Sequence, residues 1–224
     1  MRSPRRAPWY GPEVQRAAAL KQGYTSVARN AASRSITGLA RTRVTPNALT
    51  ASGVTLCAVA SVLVLFENRD ELLFYWLAAV VFVAGSILDI LDGALARAGG
   101  KTTPFGAFLD STTDRISEGF MLTAIAYVFA RHDHDVFVAV AMAAMAGSIL
   151  VSYTRARAEA LGLRGDVGIG SRAERVIVIT SGLVLAPWGV LPWAIALLTV
   201  TAWITVGQRV LHVRRQLLEE SKRV

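Results

Sequence analysis

Residues 89–114 read DILDGALARAGGKTTPFGAFLDSTTD, a stretch that lies between two apolar segments and carries four aspartates. Asp89 and Asp92 are three positions apart, and Asp110 and Asp114 are four apart. Each pair therefore shares one face of a helix. The two glycines between the pairs indicate a short turn. The stretch thus predicts two antiparallel, neighbouring helices whose acids meet at one end of a bundle.

The apolar segments of the chain are long enough to cross a bilayer. Uncharged runs occupy 44–66, 72–88 and 136–154, and a longer run at 176–208 is broken by two prolines. At 1.5 Å per residue, about 20 residues span the hydrocarbon core. We therefore predict six transmembrane helices, at 46–66, 72–97, 106–130, 136–160, 171–187 and 191–212.

The composition agrees with an all-α integral membrane protein. Of 224 residues, 53% are hydrophobic and 18% are charged, and the mean hydropathy is +0.43. Soluble domains are about 45–50% apolar and about 25% charged. Intrinsic disorder is excluded because so many residues require burial. A disulfide framework is excluded because Cys57 is the single cysteine.

The basic residues predict the orientation in the membrane. The net charge is +8, and 21 of the 24 lysines and arginines lie on one predicted side. The positive-inside rule then places both termini in the cytoplasm, and no nucleic-acid partner is needed to explain the charge. Segment 13–41 is predicted to be an amphipathic helix on the anionic leaflet, and the alternative is a flexible basic tail. We divide the chain into an N-terminal segment, 1–43, a six-helix membrane domain, 44–212, and a basic tail, 213–224.

The four aspartates form a pattern suited to metal binding. A carboxylate at the centre of a membrane helix costs about 2.5–3.5 kcal/mol, so these acids are expected to face one another, a cation or water. Four oxygen donors suit two hard divalent cations such as Mg²⁺ or Mn²⁺, which can assist a phosphoryl displacement. The alternative is that some acids cap helices or pair with Arg97 or Arg115. Glu118, three residues from Arg115, is expected to form an ordinary ion pair with it.

The same stretch resembles the signature of the CDP-alcohol phosphotransferases. The matching positions are Asp89, Asp92, Gly93, Ala96, Arg97, Gly106, Asp110 and Asp114. The resemblance implies a six-span enzyme of a bacterial plasma membrane, a homodimer with its active site facing the cytoplasm. It would attack the β-phosphorus of a CDP-linked lipid and release CMP. The resemblance implies that all four aspartates bind metal and that Asp114 also removes the acceptor proton, a role compatible with its place on the helix face.

Six residues are predicted to bind the CDP-lipid. Gly93 and Gly106 lack side chains and allow a nucleotide to approach the backbone, and Arg97 offers a guanidinium to the diphosphate. The resemblance adds Asn47, Thr50 and Thr103 at the cytidine end. For Asn47 the alternative is a helix N-cap.

An arginine-rich connection predicts the acceptor. Arg155, Arg157 and Arg175 suit a phosphorylated polyol. The run from Tyr153 to Glu159 resembles actinobacterial phosphatidylinositol-phosphate synthases, although those carry lysine at the position of Arg155. The resemblance implies transfer of a phosphatidyl group from CDP-diacylglycerol to inositol 1-phosphate, with Mg²⁺ as cofactor. The alternatives are that the arginines only set topology, that the enzyme makes phosphatidylglycerol phosphate or uses another alcohol, or that the acids belong to a cation transporter.

Overall fold

The computed structural model describes residues 45–100 and 102–221, and the regular secondary structure in these ranges is entirely helical. This confirms the predicted all-α class. The amphipathic helix predicted at 13–41 lies outside the described residues. The α-helices are α1 (Pro46–Val64), α2 (Glu71–Ala98), α3 (Pro104–Arg131), α4 (Asp135–Ala160), α5 (Arg172–Val184) and α6 (Leu191–Ser221), with a 3-10 turn at Ala186–Trp188.

Polar side chains fix where the helices begin. Thr45, Asp70 and Thr103 each accept a hydrogen bond from the backbone N–H three positions on, at 3.3, 2.9 and 3.0 Å. Helix α5 starts with a capping box, in which Ser171 and Glu174 each bind the other's backbone N–H. An N-cap is typically worth about 1 kcal/mol. These caps therefore fix the starting points of α3 and α5, which carry much of the candidate site.

Two helix ends differ clearly from prediction. Helix α6 continues past the predicted end at 212 to Ser221, because residues 213–221 are mostly good helix formers such as leucine, arginine, glutamine and glutamate. Helix α5 ends at Val184, short of the predicted 187, and the chain turns at Gly189, which has φ 74°. A positive φ is easily adopted by glycine.

The helices pack as a closed ring in the order α1, α3, α4, α6, α5, α2 and back to α1. The glycine turn was expected to make α2 and α3 direct neighbours, but α1 packs against both of them. The contact between α1 and α2 is a close crossing. A Cβ atom on Gly53 would lie 2.9 Å from the Gly85 carbonyl oxygen, and one on Gly85 would lie 2.8 Å from Cys57 Sγ. Small residues at such crossings let membrane helices approach closely.

The apolar side chains divide between the centre of the ring and its outer surface. Phe82, Met121, Ile125 and Ile179 are buried inside, whereas apolar residues such as Val80 face outward on the helices. An outward apolar surface is what a lipid environment requires.

Four helical segments are long and apolar enough to cross a membrane: Pro46–Val64, Glu71–Arg97, Asp135–Ala160 and Leu191–Glu219. The other two helices fall short of this standard for visible reasons. Helix α3 carries the acids of the candidate site, and α5 has 13 residues.

Candidate active site at one end of the bundle

Three carboxylates from two helices meet at one end of the ring. Asp89 and Asp92 lie one turn apart on α2, and Asp110 lies on α3; one oxygen of each falls within 4.8 Å of the others. Asp89 and Asp92 are buried and Asp110 is half-buried. The structure therefore brings together three of the four predicted metal-binding acids. Such a donor set suits Mg²⁺, Mn²⁺ or Ca²⁺.

The hydrogen bonds of Asp92 indicate whether this cluster fits a cation. Its Oδ2 atom accepts a hydrogen bond from the Thr50 hydroxyl of α1. Its Oδ1 atom is buried and has no hydrogen-bond partner among the described residues. A buried carboxylate oxygen without a partner is costly, and a bound cation would satisfy it. The residues present therefore fit a divalent metal ion.

The fourth predicted ligand, Asp114, lies beside an arginine. Its Oδ1 atom is 2.8 Å from Arg172 Nη1, an ion pair rather than a well-aligned hydrogen bond. The same Nη1 atom donates a hydrogen bond to Asp89 Oδ2. Arg115 lies farther away, with its Nη1 atom 3.7 Å from Asp114 Oδ2. Arg172 of α5 thus connects acids of α2 and α3.

A cleft of about 380 Å³ opens between α1, α2 and α3 next to the carboxylates. All six residues predicted to bind the CDP-lipid line it: Asn47, Thr50, Gly93, Arg97, Thr103 and Gly106. Asp92 and Asp110 also line the cleft, which lies within the usual size range of ligand pockets. A nucleotide in this cleft would therefore be adjacent to the acidic cluster.

Several of these cleft residues have additional structural roles. The cap of α1 is Thr45, so exposed Asn47 does not act as the N-cap, the alternative considered for it. Thr103 caps α3. A Cβ atom on Gly93 would lie 3.2 Å from Arg97 Nη1, and one on Gly106 would lie 3.1 Å from Thr103 Oγ1. Both glycines thus keep space open in the cleft.

The three predicted acceptor arginines differ in their surroundings. Arg175 is buried; its Nε donates to Glu118 Oε1 and its Nη1 donates to the Gly170 carbonyl, both at 2.8 Å. Arg155 and Arg157 are exposed on α4, and Arg155 pairs with Glu159 at 2.9 Å. Arg175 is therefore already fixed by protein contacts, whereas the two α4 arginines lie at the surface.

The partner of Glu118 differs from the expected one. Glu118 was expected to pair with Arg115, but it pairs with Arg175 of α5. Arg115 instead hydrogen-bonds to the Ser111 carbonyl and lies near Asp114. A contact between helices replaces the local pair because the α3 face that carries Glu118 points into the ring, towards α5.

Two arginines at this end were not among the predicted site residues. Arg172 connects Asp89 and Asp114, and buried Arg209 of α6 donates hydrogen bonds to the carbonyls of Val151 and Val167. The Ser171–Glu174 capping-box spacing could have placed Arg172 in the first turn of a helix, next to the predicted site. Nothing in the local sequence indicates the backbone partners of Arg209.

Comparison with known proteins identifies the family to which the chain belongs. Residues 43–211 match the family model described as CDP-alcohol phosphatidyltransferase. The phosphatidylinositol phosphate synthase of Mycobacterium marinum is 40% identical over 183 residues, covering 79% of this chain and 76% of that relative. The archaetidylinositol phosphate synthase of Pyrococcus horikoshii is 37% identical, covering 80% of this chain and 88% of the relative.

Solved structures agree with this assignment. Phosphatidylinositol phosphate synthase from Mycobacterium tuberculosis with CDP-DAG bound has a TM-score of 0.71 and 35% identity, covering 81% of this chain and 92% of that one. The same protein in complex with manganese and citrate has a TM-score of 0.71 and 35% identity, covering 81% and 88%. With a matching family model, similar relatives and a shared fold, this multi-pass membrane protein belongs to the CDP-alcohol phosphatidyltransferase family and is a transferase.

Proposed function

We propose that the chain transfers the phosphatidyl group of CDP-diacylglycerol to a hydroxyl of inositol 1-phosphate, giving phosphatidylinositol phosphate and CMP. The observation that carries this proposal is a cleft of nucleotide size that ends at three clustered carboxylates. The inositol phosphate acceptor is supported by relatives named phosphatidylinositol phosphate and archaetidylinositol phosphate synthase.

In this proposal the cleft holds the CDP group. Asn47 and Thr103 line the cleft together with Thr50, and the backbones at Gly93 and Gly106 allow the nucleotide close access. Arg97 places a guanidinium fork beside the diphosphate, a geometry suited to bidentate contacts with phosphate oxygens. The β-phosphorus would then lie towards the aspartates.

Asp89, Asp92, Asp110 and Asp114 are proposed to hold two divalent cations, Mg²⁺ or Mn²⁺. When bound, such ions stabilise the attacking and leaving oxygens of a phosphoryl displacement. Asp114 is the proposed general base: it lies one turn from Asp110 on α3 and would receive the proton of the acceptor hydroxyl. Thr50 holds Asp92 in place through its hydroxyl.

Arg155, Arg157 and Arg175 are proposed to bind the acceptor phosphate. Arg175 is pre-oriented by Glu118 and the Gly170 carbonyl, so little side-chain entropy is lost when it meets an anion. Arg155 would exchange Glu159 for the phosphate, an inexpensive change because both side chains are more than half exposed.

The proposed membrane arrangement follows from the basic residues. We assign six spans within a membrane domain at 44–212, cytoplasmic segments at 1–43 and 213–224, and an active site facing the cytoplasm of a bacterial cell. Arg172 and Arg175, in the first turn of α5, lie at the same end of the bundle as the aspartates, which supports this orientation. A homodimer is proposed from family resemblance.

The acceptor is tested with purified protein, labelled CDP-diacylglycerol and a panel of alcohols. We expect inositol 1-phosphate to give the fastest CMP release. Faster turnover with glycerol 3-phosphate would instead identify a phosphatidylglycerol-phosphate synthase. A cation transporter would show metal flux without CMP release. The transporter is disfavoured because three of the acids cluster at one end of the bundle, away from the opposite membrane face.

A further inference from the structure

The guanidinium of Arg172 contacts two of the proposed metal-binding carboxylates. Its Nη1 atom donates to Asp89 Oδ2 and lies 2.8 Å from Asp114 Oδ1. We propose that Arg172 is an internal counter-cation that competes with divalent metal for these two acids. The inference rests on the proposed metal-dependent function and concerns how metal loading of that site is controlled.

The position of Arg172 is fixed by its helix. It is the first residue of α5, directly after the Ser171 cap, and its side chain is 27% exposed. One turn later, Arg175 ties the same helix to Glu118 of α3. Both contacts hold the start of α5 against the acidic cluster, so Arg172 is placed by the fold rather than by a flexible loop.

Charge balance supports the competition. Clustered carboxylates repel one another unless a cation lies among them. Among the described residues, two basic side chains form ion pairs with these acids, and Arg172 is the one that reaches two of them; Arg115 contacts Asp114 at 3.7 Å. A divalent ion on Asp89 or Asp114 would bind carboxylates that Arg172 already contacts, and it would repel the guanidinium. Metal binding would therefore displace Arg172 from these acids.

The competition is measured by Mn²⁺ titration calorimetry on the full-length protein in detergent, without substrates. We expect Arg172→Gln to bind Mn²⁺ about tenfold more tightly than the wild type, since it loses both a competitor and a repelling charge. We also expect its thermal midpoint without Mn²⁺ to fall, because the acids lose their counter-charge. The matched control is Arg164→Gln, which removes an exposed arginine from the α4–α5 connection that precedes Arg172 and should leave the Mn²⁺ affinity unchanged.

A second measurement uses the wild-type protein, in case Arg172→Gln does not fold. Phenylglyoxal labelling of Arg172, read by peptide mass spectrometry with Arg164 as internal reference, should rise severalfold at saturating Mn²⁺. Unchanged labelling, or an Arg172→Gln affinity within twofold of wild type or weaker, would overturn the inference and leave the proposed function standing. Absence of Mn²⁺ binding by both the wild type and Arg172→Gln would overturn both.

Discussion

Replacement of Thr50 by valine removes one hydroxyl and keeps the shape of the side chain. That hydroxyl donates to Asp92 Oδ2, while Asp92 Oδ1 has no hydrogen-bond partner among the described residues. In Thr50→Val, neither oxygen of the buried Asp92 carboxylate would therefore have a hydrogen-bond partner among the described residues. A hydrogen bond to a charged group contributes about 1.5–3 kcal/mol to stability. Substitution of a residue that hydrogen-bonds a metal ligand typically lowers metal affinity or activity by about 10–100-fold.

The chain offers a matched control on the same helix. The hydroxyls of Thr50 and Thr55 both lie within hydrogen-bond distance of the carbonyl four residues back, at 3.1 and 2.8 Å, but Thr55 is exposed and away from the acids. We expect Thr50→Val to weaken Mn²⁺ binding about 10–100-fold by calorimetry and to slow CMP release, and Thr55→Val to change neither. Equal Mn²⁺ affinities for the two variants would refute the reasoning. Weakened CDP binding at unchanged Mn²⁺ affinity would instead assign Thr50 to the nucleotide alone.

Three further substitutions have distinct signatures. Gly53→Ala should lower the thermal midpoint by about 2–12 °C, since overpacking typically costs about 1–3 kcal/mol and the new Cβ atom would lie 2.9 Å from the Gly85 carbonyl oxygen. Glu118→Gln should raise the acceptor KM about 5–30-fold, by loosening Arg175, with little change in the CDP-diacylglycerol KM. Asp114→Asn should slow CMP release at least about 100-fold in single-turnover assays, while CDP binding measured by calorimetry persists.

Each of these predictions has its own control. A Cβ atom on Gly119 would meet nothing within 4 Å, so Gly119→Ala should match or exceed the wild-type midpoint; equal midpoints for the Gly53 and Gly119 variants would contradict the crossing argument. For Glu118→Gln, a parallel rise in both KM values would point to general disruption. Near-normal CMP release by Asp114→Asn would remove Asp114 as the base.

Features that depend on local sequence were predictable. The uncharged runs located the helices other than α3. The spacing of three and four residues placed the acids of α2 and of α3 on common helix faces, and these faces meet at one end of the bundle. Of the six proposed nucleotide residues, Gly93, Arg97 and Gly106 were argued from their chemistry, and the other three were taken from the resemblance. The structure places all six in one cleft.

Features that depend on contacts between distant residues were not predictable. Glu118 was assigned to nearby Arg115, but its partner Arg175 is 57 positions away. Arg172 reaches Asp89 across 83 positions. The close packing of α1 on α2 depends on the Gly53–Gly85 crossing, which can be recognised only from the folded backbones of both helices.

The placement of Asp89 within α2 determines how far each substrate must travel. It lies about 14 Å along the axis from the helix end at Ala98, whereas Asp110 lies about 9 Å from the start of α3. A polar headgroup layer is about 5–7 Å deep on each side of a bilayer. With these helix ends at the aqueous surface, both acids would lie just below the headgroup layer. A phospholipid donor could react without leaving its leaflet. The water-soluble acceptor would have to pass through the headgroup layer to reach the acids.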